Sequence, residues 1–268
     1  MKRLGIIALS LVGLGVFGSS LSNVPASSRS TGQPENVIAQ SLAASIQLYA
    51  EREGGVHRWA SGVAVASSAS GHVLILTAAH LLTPQAAQTV YAITPGSNAR
   101  VEARVLGIDE AADVALLSAE LGDITPVGLQ AGARLGDNVW VVSFPWGRRG
   151  TVVSGVVSQI VTADADMQLL VSGPVALIDA AVSYGTSGGG VFDARSGKLV
   201  GIVRSYRTAK LSLPGTPAQS LELPIAGETT VVPVSQILCV LRQIQAPDSA
   251  GLEGFLADAP ADTCSDSI

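Results

Sequence analysis

The sequence predicts an all-β fold with one helix near its end, and two patterns carry that prediction. From residue 45 onward, short apolar or alternating segments recur between glycines, prolines and other turn-forming residues, as in proteins built from antiparallel sheets. An apolar stripe at helical spacing follows over Ser235–Gln243, where Ile237, Leu238 and Leu241 recur. Hydrophobic residues make up 47% of the 268 residues, which is ample for a core.

The predicted strands fall into two groups, separated by a connection that contains glycine and proline, Leu121–Leu135. The first group comprises Ile46–Arg52, Trp59–Ala66, His72–Thr77, Tyr91–Ile93, Val101–Ile108 and Val114–Leu117. The second group comprises Val139–Ser143, Val152–Ile160, Gln168–Val171, Ala176–Val182, Val191–Phe192, Leu199–Tyr206 and Thr230–Val232. Gly54 and Gly55 predict a hairpin turn in the first group, and the proline-containing segment Leu211–Leu223 predicts a loop in the second. That loop either rims a substrate cleft or connects strands in solvent.

The first 26 residues are predicted to be a secretory signal peptide. Lys2-Arg3 precedes an uncharged apolar stretch, Leu4–Gly18, and Val24-Pro25-Ala26 offers a small-residue cleavage site. The apolar stretch has about 15 residues, which is short for a bilayer span. We therefore expect an exported protein, periplasmic or secreted, with an uncleaved membrane anchor as the alternative. The polar residues 27–40 are predicted to form a linker.

The chain has two cysteines, Cys239 in the predicted helix and Cys264 near the end. In an oxidising compartment they are expected to form a disulfide. Closing a loop of about 25 residues would contribute roughly 3 kcal/mol in the chain-entropy model. The alternative is a buried thiol in the helix and a reactive thiol in the tail.

The charge pattern gives no support to nucleic-acid binding. Charged residues make up 14% of the chain, the net charge is -5, and no basic run occurs. The three histidines and two cysteines share no spacing typical of metal ligands. We therefore expect neither a metal nor another cofactor.

Three motifs place a histidine, an aspartate and a serine in a defined order. His80 follows an apolar segment in the run Thr77-Ala78-Ala79-His80, and Asp113 opens another apolar segment. Ser187 lies in Gly185-Thr186-Ser187-Gly188-Gly189-Gly190. The separations are about 33 and 74 residues. Chymotrypsin-like hydrolases have this chain order, whereas subtilisins and α/β-hydrolases do not, which excludes an esterase of the α/β-hydrolase type.

On these motifs the chain resembles a trypsin-like serine endopeptidase of the chymotrypsin fold, and it is most similar to the HtrA/Deg branch. The similarity extends from about Ser45 to Leu241. Its further matches are Phe144-Pro145-Trp146-Gly147, Thr151–Ser158, Ile178–Val182, Leu199–Val203 and Val232-Pro233-Val234.

The resemblance implies two antiparallel β-barrels of the chymotrypsin type, at about residues 41–120 and 136–234. A closing helix at 235–245 completes the protease domain, 41–245, and a tail follows at 246–268. Thr186 stands where digestive proteases carry an aspartate that pairs with a newly cut N-terminus, which argues against that route of activation. Because the tail 246–268 is too short for the PDZ domain typical of HtrA proteases, no such domain is expected.

The resemblance also assigns catalytic roles, with Ser187 as nucleophile, His80 as its base and Asp113 as the acceptor that orients the histidine. The backbone N–H groups of Gly185 and Ser187 would form the oxyanion hole. The other histidines, His57 and His72, follow turn glycines and are expected to be exposed. Asp109 is the competitor of Asp113 and is expected to be a solvated turn residue.

The expected substrate-binding residues are Ala181, Val182, Ser183, Tyr184, Arg204, Ser205 and Tyr206. Because Ala181 lies six residues before the nucleophile, where trypsin has an aspartate, a preference for Arg or Lys is not expected. A small or medium apolar residue is expected instead. Arg204 occupies a position that usually holds a small polar residue beside the catalytic aspartate. Two outcomes stay open: Arg204 contacts Asp113 and competes with His80, or it turns to solvent.

The sequence thus predicts an exported serine endopeptidase that works through an acyl-enzyme on Ser187, with polypeptide substrates that include unfolded or damaged proteins. The alternative is a catalytically impaired protein of the same fold that holds peptides by β-augmentation. HtrA-type proteases are often trimers, so the resemblance also includes a homo-oligomer among the partners.

Overall fold

The structure is a computed structural model that describes residues 34–83, 89–161, 172–212, 220–244 and 256. All of them belong to one of the two units into which the chain divides, Thr31–Ile268. The predicted signal peptide, the predicted strand Gln168–Val171 and Cys264 lie outside the described residues, and so do residues 27–33.

A helix, α1, spans Pro34–Ala43. Proline suits the first helical position, where its missing N–H leaves no hydrogen bond unmade. Val37 and Ser41 lie one turn apart, and both are buried. The prediction of a linker over residues 27–40 is therefore wrong for residues 34–40. The buried face of the helix includes a serine, so the apolar periodicity that would reveal a helix is weak.

Seven strands form the first sheet: β1 Ser45–Glu51, β2 His57–Ser67, β3 His72–Thr77, β4 Thr89–Ile93, β5 Val101–Glu102, β6 Arg104–Asp109 and β7 Val114–Glu120. Their order is β5-β4-β1-β2-β3-β7-β6, and all neighbours are antiparallel. β1 alternates as a strand of a half-buried sheet does, since Ile46, Leu48 and Ala50 are buried while Tyr49 is partly exposed. β3, in contrast, is buried on both faces from Val73 to Thr77.

Eight more strands follow: β8 Ala133–Arg134, β9 Asn138–Ser143, β10 Thr151–Ile160, β11 Ser172–Gly173, β12 Val175–Asp179, β13 Gly190–Asp193, β14 Leu199–Ser212 and β15 Ser220–Pro233. Six of them close into a barrel in the order β10-β12-β15-β14-β13-β9, and β8 pairs with β11. The predicted all-β class with a C-terminal helix is confirmed. Of the two predicted antiparallel barrels, the second is closed, whereas the first is an antiparallel sheet whose edges among the described strands are β5 and β6.

The hairpin of β14 and β15 is longer than predicted. Lys210 pairs with Glu222, and Ser212 pairs with Ser220. The predicted loop Leu211–Leu223 is therefore wrong at both of its ends, because its prolines and glycine mark only the part nearest the turn. Residues 213–219 lie outside the part of the chain that the structure describes.

The helix α2, Val234–Gln243, packs where the two sheets meet. Ile237, Leu238 and Leu241 are fully buried in one cluster with residues of the first sheet, such as Leu116, and of the barrel, such as Phe192. Two further clusters fill the interior of the first sheet and of the barrel. The site described below therefore rests on a shared apolar core. Cys239 lies on α2, and its predicted disulfide to Cys264 stays a prediction.

Within the described ranges, no helix is both long enough and apolar enough to cross a membrane.

Candidate active site

His80 and Asp113 meet at one end of two neighbouring strands. β3 and β7 pair up to Thr77 and Ala115, and His80 follows β3 while Asp113 directly precedes β7. The Nδ1 atom of His80 lies 3.0 Å from Oδ2 and 3.1 Å from Oδ1 of Asp113. The backbone N–H of His80 also donates to Oδ1 at 2.9 Å. The carboxylate thus fixes both the ring and the main chain of the histidine.

Asp113 adopts an unusual backbone conformation. Its φ is +58°, in the left-handed region that disfavours residues other than glycine, and it is only 7% exposed. Strain of this kind costs about 1–3 kcal/mol and persists where the surroundings hold it. Asp109 contributes to that support, because its Oδ1 accepts a hydrogen bond from the N–H of Ala112 at 2.9 Å. The competitor of Asp113 is therefore a turn residue, as its sequence position suggests.

Two arginines hold the short turn that carries His80. Arg58 donates to the carbonyl oxygen of His80 at 2.8 Å and to that of Thr83 at 3.3 Å. Arg52 donates to the carbonyl oxygen of Leu81 at 2.6 Å. Burial lowers the pKa of the Arg52 guanidinium, and the charge of Arg58 lowers it further. Sequence reasoning missed both arginines, because their partners are main-chain carbonyls about 20 to 30 positions away, which leave no sequence signal.

The loop that carries Ser187, residues 185–190, is held by backbone hydrogen bonds on two sides. On one side, the N–H of Ser61 donates to the carbonyl oxygen of Ser187 at 2.9 Å. On the other, the N–H of Gly188 donates to the carbonyl oxygen of Val203 at 2.8 Å. Gly188 has a φ of +77°, and a Cβ there would overlap the Ser61 carbonyl oxygen. Only glycine fits this position without moving β2.

Two N–H groups of this loop remain available to a ligand. The N–H of Thr186 donates to Ser183 O at 3.1 Å, and that of Gly189 donates to Thr186 O at 2.8 Å. The N–H groups of Gly185 and Ser187, in contrast, donate to no acceptor in the described residues. The two sequence-predicted donors of the oxyanion hole are thus unpaired.

The structure brings His80 and Asp113 into contact but does not join Ser187 to them by a hydrogen bond. Among the described side chains, Ser187 Oγ forms no hydrogen bond with His80. Ser187 is partly exposed, and the side chain of His80 is 46% exposed. Catalytic hydrogen bonds are often long in enzymes without substrate and shorten when substrate binds.

Arg204 lies beside the histidine–aspartate pair. Its Nε is 3.8 Å from Oδ2 of Asp113, and its side chain is 49% exposed. Because the contacts between Asp113 and His80 are shorter, at 2.9–3.1 Å, Arg204 does not displace His80 from the carboxylate. Each of the two alternatives that the sequence left open therefore describes part of what the structure shows. Arg204 contacts Asp113 and also faces solvent.

The predicted pocket residues lie on two segments that flank the Ser187 loop. Ala181, Val182, Ser183 and Tyr184 connect β12 to that loop and are partly or fully exposed, and Ser205 and Tyr206 follow Arg204 on β14. The hydroxyl groups of Ser205 and Thr230 are hydrogen-bonded at 2.7 Å. This arrangement leaves the predicted pocket segments accessible to a ligand.

An exposed aromatic pair stands next to these residues. The N–H of Trp146 donates to the carbonyl oxygen of Tyr184 at 2.9 Å, and the ring centroids are 5.0 Å apart. Trp146 is 59% exposed and Tyr184 is 40% exposed. Trp146 has a φ of +58°, a second left-handed residue near the site. The sequence reveals the motif that contains Trp146, but it does not predict the contact of Trp146 with Tyr184 of the predicted pocket.

Residues 60–202 match the model of the trypsin-like peptidase domain family. The match covers more than half of the chain. The chain belongs to this family. The HtrA-like serine protease of Staphylococcus aureus is 32% identical over 176 residues, which cover 61% of this chain and 22% of that protein. The chain therefore spans about a fifth of the length of this relative. The predicted resemblance to trypsin-like proteases with HtrA-like homologues is confirmed.

Solved structures of proteases, one of them of the HtrA type, share the fold. The protease AlgW, solved with a tripeptide, superposes with a TM-score of 0.61 at 24% identity, over 79% of this chain and 63% of that one. The Rv3671c protease of M. tuberculosis in its active form has a TM-score of 0.61 at 19% identity, over 87% of this chain and 96% of that one.

In the part of the chain that is described, no group of three or more His, Cys, Asp or Glu side chains is arranged to hold a metal ion.

Replacing Gly188 by alanine should destabilise the protein and misplace Ser187. The added Cβ overlaps the carbonyl oxygen of Ser61, which costs about 1–3 kcal/mol, and the left-handed backbone adds about 1–2 kcal/mol. Urea unfolding measures the loss in the free energy of unfolding. The matched control is Gly128→Ala, whose Cβ would meet the Lys198 side chain at an ordinary 3.7 Å. Equal free energies of unfolding for Gly188→Ala and Gly128→Ala would contradict the steric requirement for glycine at position 188.

Proposed function

We propose that the chain is an exported serine endopeptidase that cleaves peptide bonds through an acyl-enzyme on Ser187. The observation that carries the proposal is the contact between His80 and Asp113, at 3.0 Å, beside a serine loop with two unpaired N–H groups. A histidine oriented by a buried carboxylate is the arrangement that activates a serine hydroxyl.

In the proposed mechanism each residue has one role. Asp113 accepts the Nδ1 proton of His80, so Nε2 carries a lone pair and can take the proton of Ser187 Oγ. The oxygen attacks the scissile carbonyl carbon, and the N–H groups of Gly185 and Ser187 bind the resulting oxyanion. Each such donor contributes about 2.7–4 kcal/mol in the transition state. His80 then gives its proton to the leaving amine, and water hydrolyses the acyl-enzyme with His80 again as base.

The proposed substrates are polypeptides with a small or medium apolar residue before the scissile bond, including unfolded or damaged proteins. Ala181 leaves the pocket wall without the acid that would bind a basic side chain, and the related AlgW was solved with a tripeptide. A homo-oligomer remains part of this proposal by resemblance to HtrA-type proteases.

Export to the periplasm or the medium rests on the predicted signal peptide. The mature chain is expected to begin near Ser27, because the small-residue cleavage site precedes it. Intact mass of protein recovered from the envelope or medium measures that N-terminus. A chain that still begins at Met1 would favour the membrane-anchored alternative.

Two observations favour a second candidate function, a catalytically impaired protein that holds peptides in the same cleft. Ser187 Oγ lacks a hydrogen bond to His80 in the described residues, and the adjoining Arg204 is a departure from the small polar residue usual at its position. Such a protein would bind peptides without cleaving them.

Changing Ser187 to alanine separates the two functions. A serine endopeptidase should react with a fluorophosphonate probe and cleave casein, and Ser187→Ala should lose both reactions because the attacking oxygen is gone. Ser154→Ala, at an exposed serine on β10, is the matched control and should keep both. Gel fluorescence and casein digestion are the measurements. Peptide binding without labelling or cleavage by the unmutated protein would establish the impaired alternative.

Changing Asp113 to asparagine should lower turnover by about 10⁴-fold, as the equivalent change does in trypsin, because the amide holds the ring of His80 in the wrong tautomer. The measurement is kcat on a peptide substrate, with circular dichroism to verify the fold. Asp109→Asn is the control, since its side-chain carbonyl can still accept from Ala112 N–H. A fully active Asp113→Asn variant would remove this carboxylate from the mechanism.

A further inference from the structure

We propose that Arg204 binds the carboxylate of an acidic substrate residue, at the position immediately before the residue whose carbonyl is attacked. The inference deepens the proposed function and rests on it, because it concerns the same cleft. It assigns to this chain a selectivity that its family resemblance does not imply, since the resemblance places a small polar residue here.

The guanidinium of Arg204 has N–H donors that form no hydrogen bond within the described residues. An arginine side chain carries five N–H donors. In the described residues, the side chain of Arg204 makes one polar contact, 3.8 Å from Asp113 Oδ2, which is too long for a hydrogen bond. Arg52 and Arg58 donate instead to main-chain carbonyls of the turn that carries His80, at 2.6 and 2.8 Å. Arg204 thus has donors that a ligand can still use.

The backbone holds Arg204 at a defined place relative to the nucleophile. The residue before it, Val203, exchanges two hydrogen bonds of 2.8 Å with Gly188 and Gly189 of the serine loop. The register of β14 against β15 shifts between Val203 and Ser205, so Arg204 is the extra residue of a β-bulge. Bulges next to active sites re-aim a side chain. Here the side chain is directed to Asp113 and remains 49% exposed.

The alternation of side chains in an extended peptide decides which substrate residue reaches Arg204. Successive side chains of an extended chain point to opposite sides. If the residue with the scissile carbonyl enters the pocket beside Ala181–Tyr184, the preceding residue points away from that segment. In this proposal the preceding residue is assigned to Arg204, whose guanidinium contacts the aspartate that binds His80.

A carboxylate is the ligand chemistry that this cation fits. A guanidinium can bind a carboxylate through two parallel hydrogen bonds, and such charge-assisted bonds are about twice as strong as neutral ones. The nearest acid, Asp113, is 7% exposed, and both of its oxygens lie within 3.1 Å of His80 Nδ1. A basic side chain at the same substrate position would face Arg204 and be disfavoured.

The test compares peptides that differ only at this position, with Glu, Gln or Lys, before a fixed small apolar residue. Binding is measured by fluorescence anisotropy on the Ser187→Ala protein, so that the result does not depend on turnover. The Glu peptide should bind roughly tenfold or more tightly than the Gln peptide, and the Lys peptide should bind most weakly. This ratio should decrease at high salt, because the attraction is partly screened.

The ratio of the affinities for the Glu and Gln peptides should fall to about one when Arg204→Ala is added to the Ser187→Ala protein. The ratio should be partly retained with Arg204→Lys. Arg207→Ala is the matched control on the same strand, because Arg207 already pairs with Glu228 at 3.2 Å. It should leave the ratio unchanged.

Equal binding of the Glu and Gln peptides by the protein with Arg204, or a ratio that survives Arg204→Ala, would overturn the inference, as would a failure to bind any of the peptides. A Glu preference that depends on Arg204 in a protein that cleaves nothing would support the inference and refute the endopeptidase. The experiment can therefore refute one of the two proposals without refuting the other.

Discussion

The half of the site that carries Ser187 depends on one buried residue, Ser61 on β2. Its Oγ donates to the carbonyl oxygen of Gly185 and accepts from the N–H of Phe144, each at 2.8 Å. Its backbone N–H donates to Ser187 O at 2.9 Å, and its carbonyl oxygen accepts from Thr77 Oγ1 at 2.8 Å. A residue of the first sheet thereby fixes the nucleophile loop and the end of β9 together. Without the hydroxyl, two buried backbone groups would lose their partners, at about 1–3 kcal/mol each.

The contacts of Ser61 explain how a loop rich in glycine can hold Ser187 in a defined place. Glycines give the chain the left-handed turns it needs at Gly185 and Gly188, but they also raise the entropy of the unfolded loop. Hydrogen bonds to Ser61 on one side and to Val203 on the other offset that cost. The polar contacts around His80, from Arg58 and Asp113, do the same for the histidine turn. Both halves of the proposed machinery are therefore held before substrate arrives, as electrostatic catalysis requires.

Much of this arrangement could be predicted from the sequence, because local patterns encode it. The strand His72–Thr77 has the predicted bounds, and the pairing of His80 with Asp113 follows from motifs at the ends of adjacent strands. The helix Pro34–Ala43 could not be predicted, since its buried face includes a serine rather than a full apolar stripe. Ser61 was missed for a different reason. A lone serine in an apolar strand carries no signal, and the partner of its hydroxyl, Gly185, lies 124 residues away.

The resemblance to the family does not explain why an arginine occupies position 204. A partly exposed ion pair such as its contact with Asp113 contributes only about 0–1 kcal/mol to stability, so structural support gives little physical reason for an arginine there. The same guanidinium gains more when a ligand covers it, since excluding water strengthens the attraction between opposite charges. Arg204 adds little to the fold, lies beside His80 and Asp113, and has donors without a partner in the described residues. A ligand that enters the proposed cleft therefore explains this arginine better than its structural contacts do.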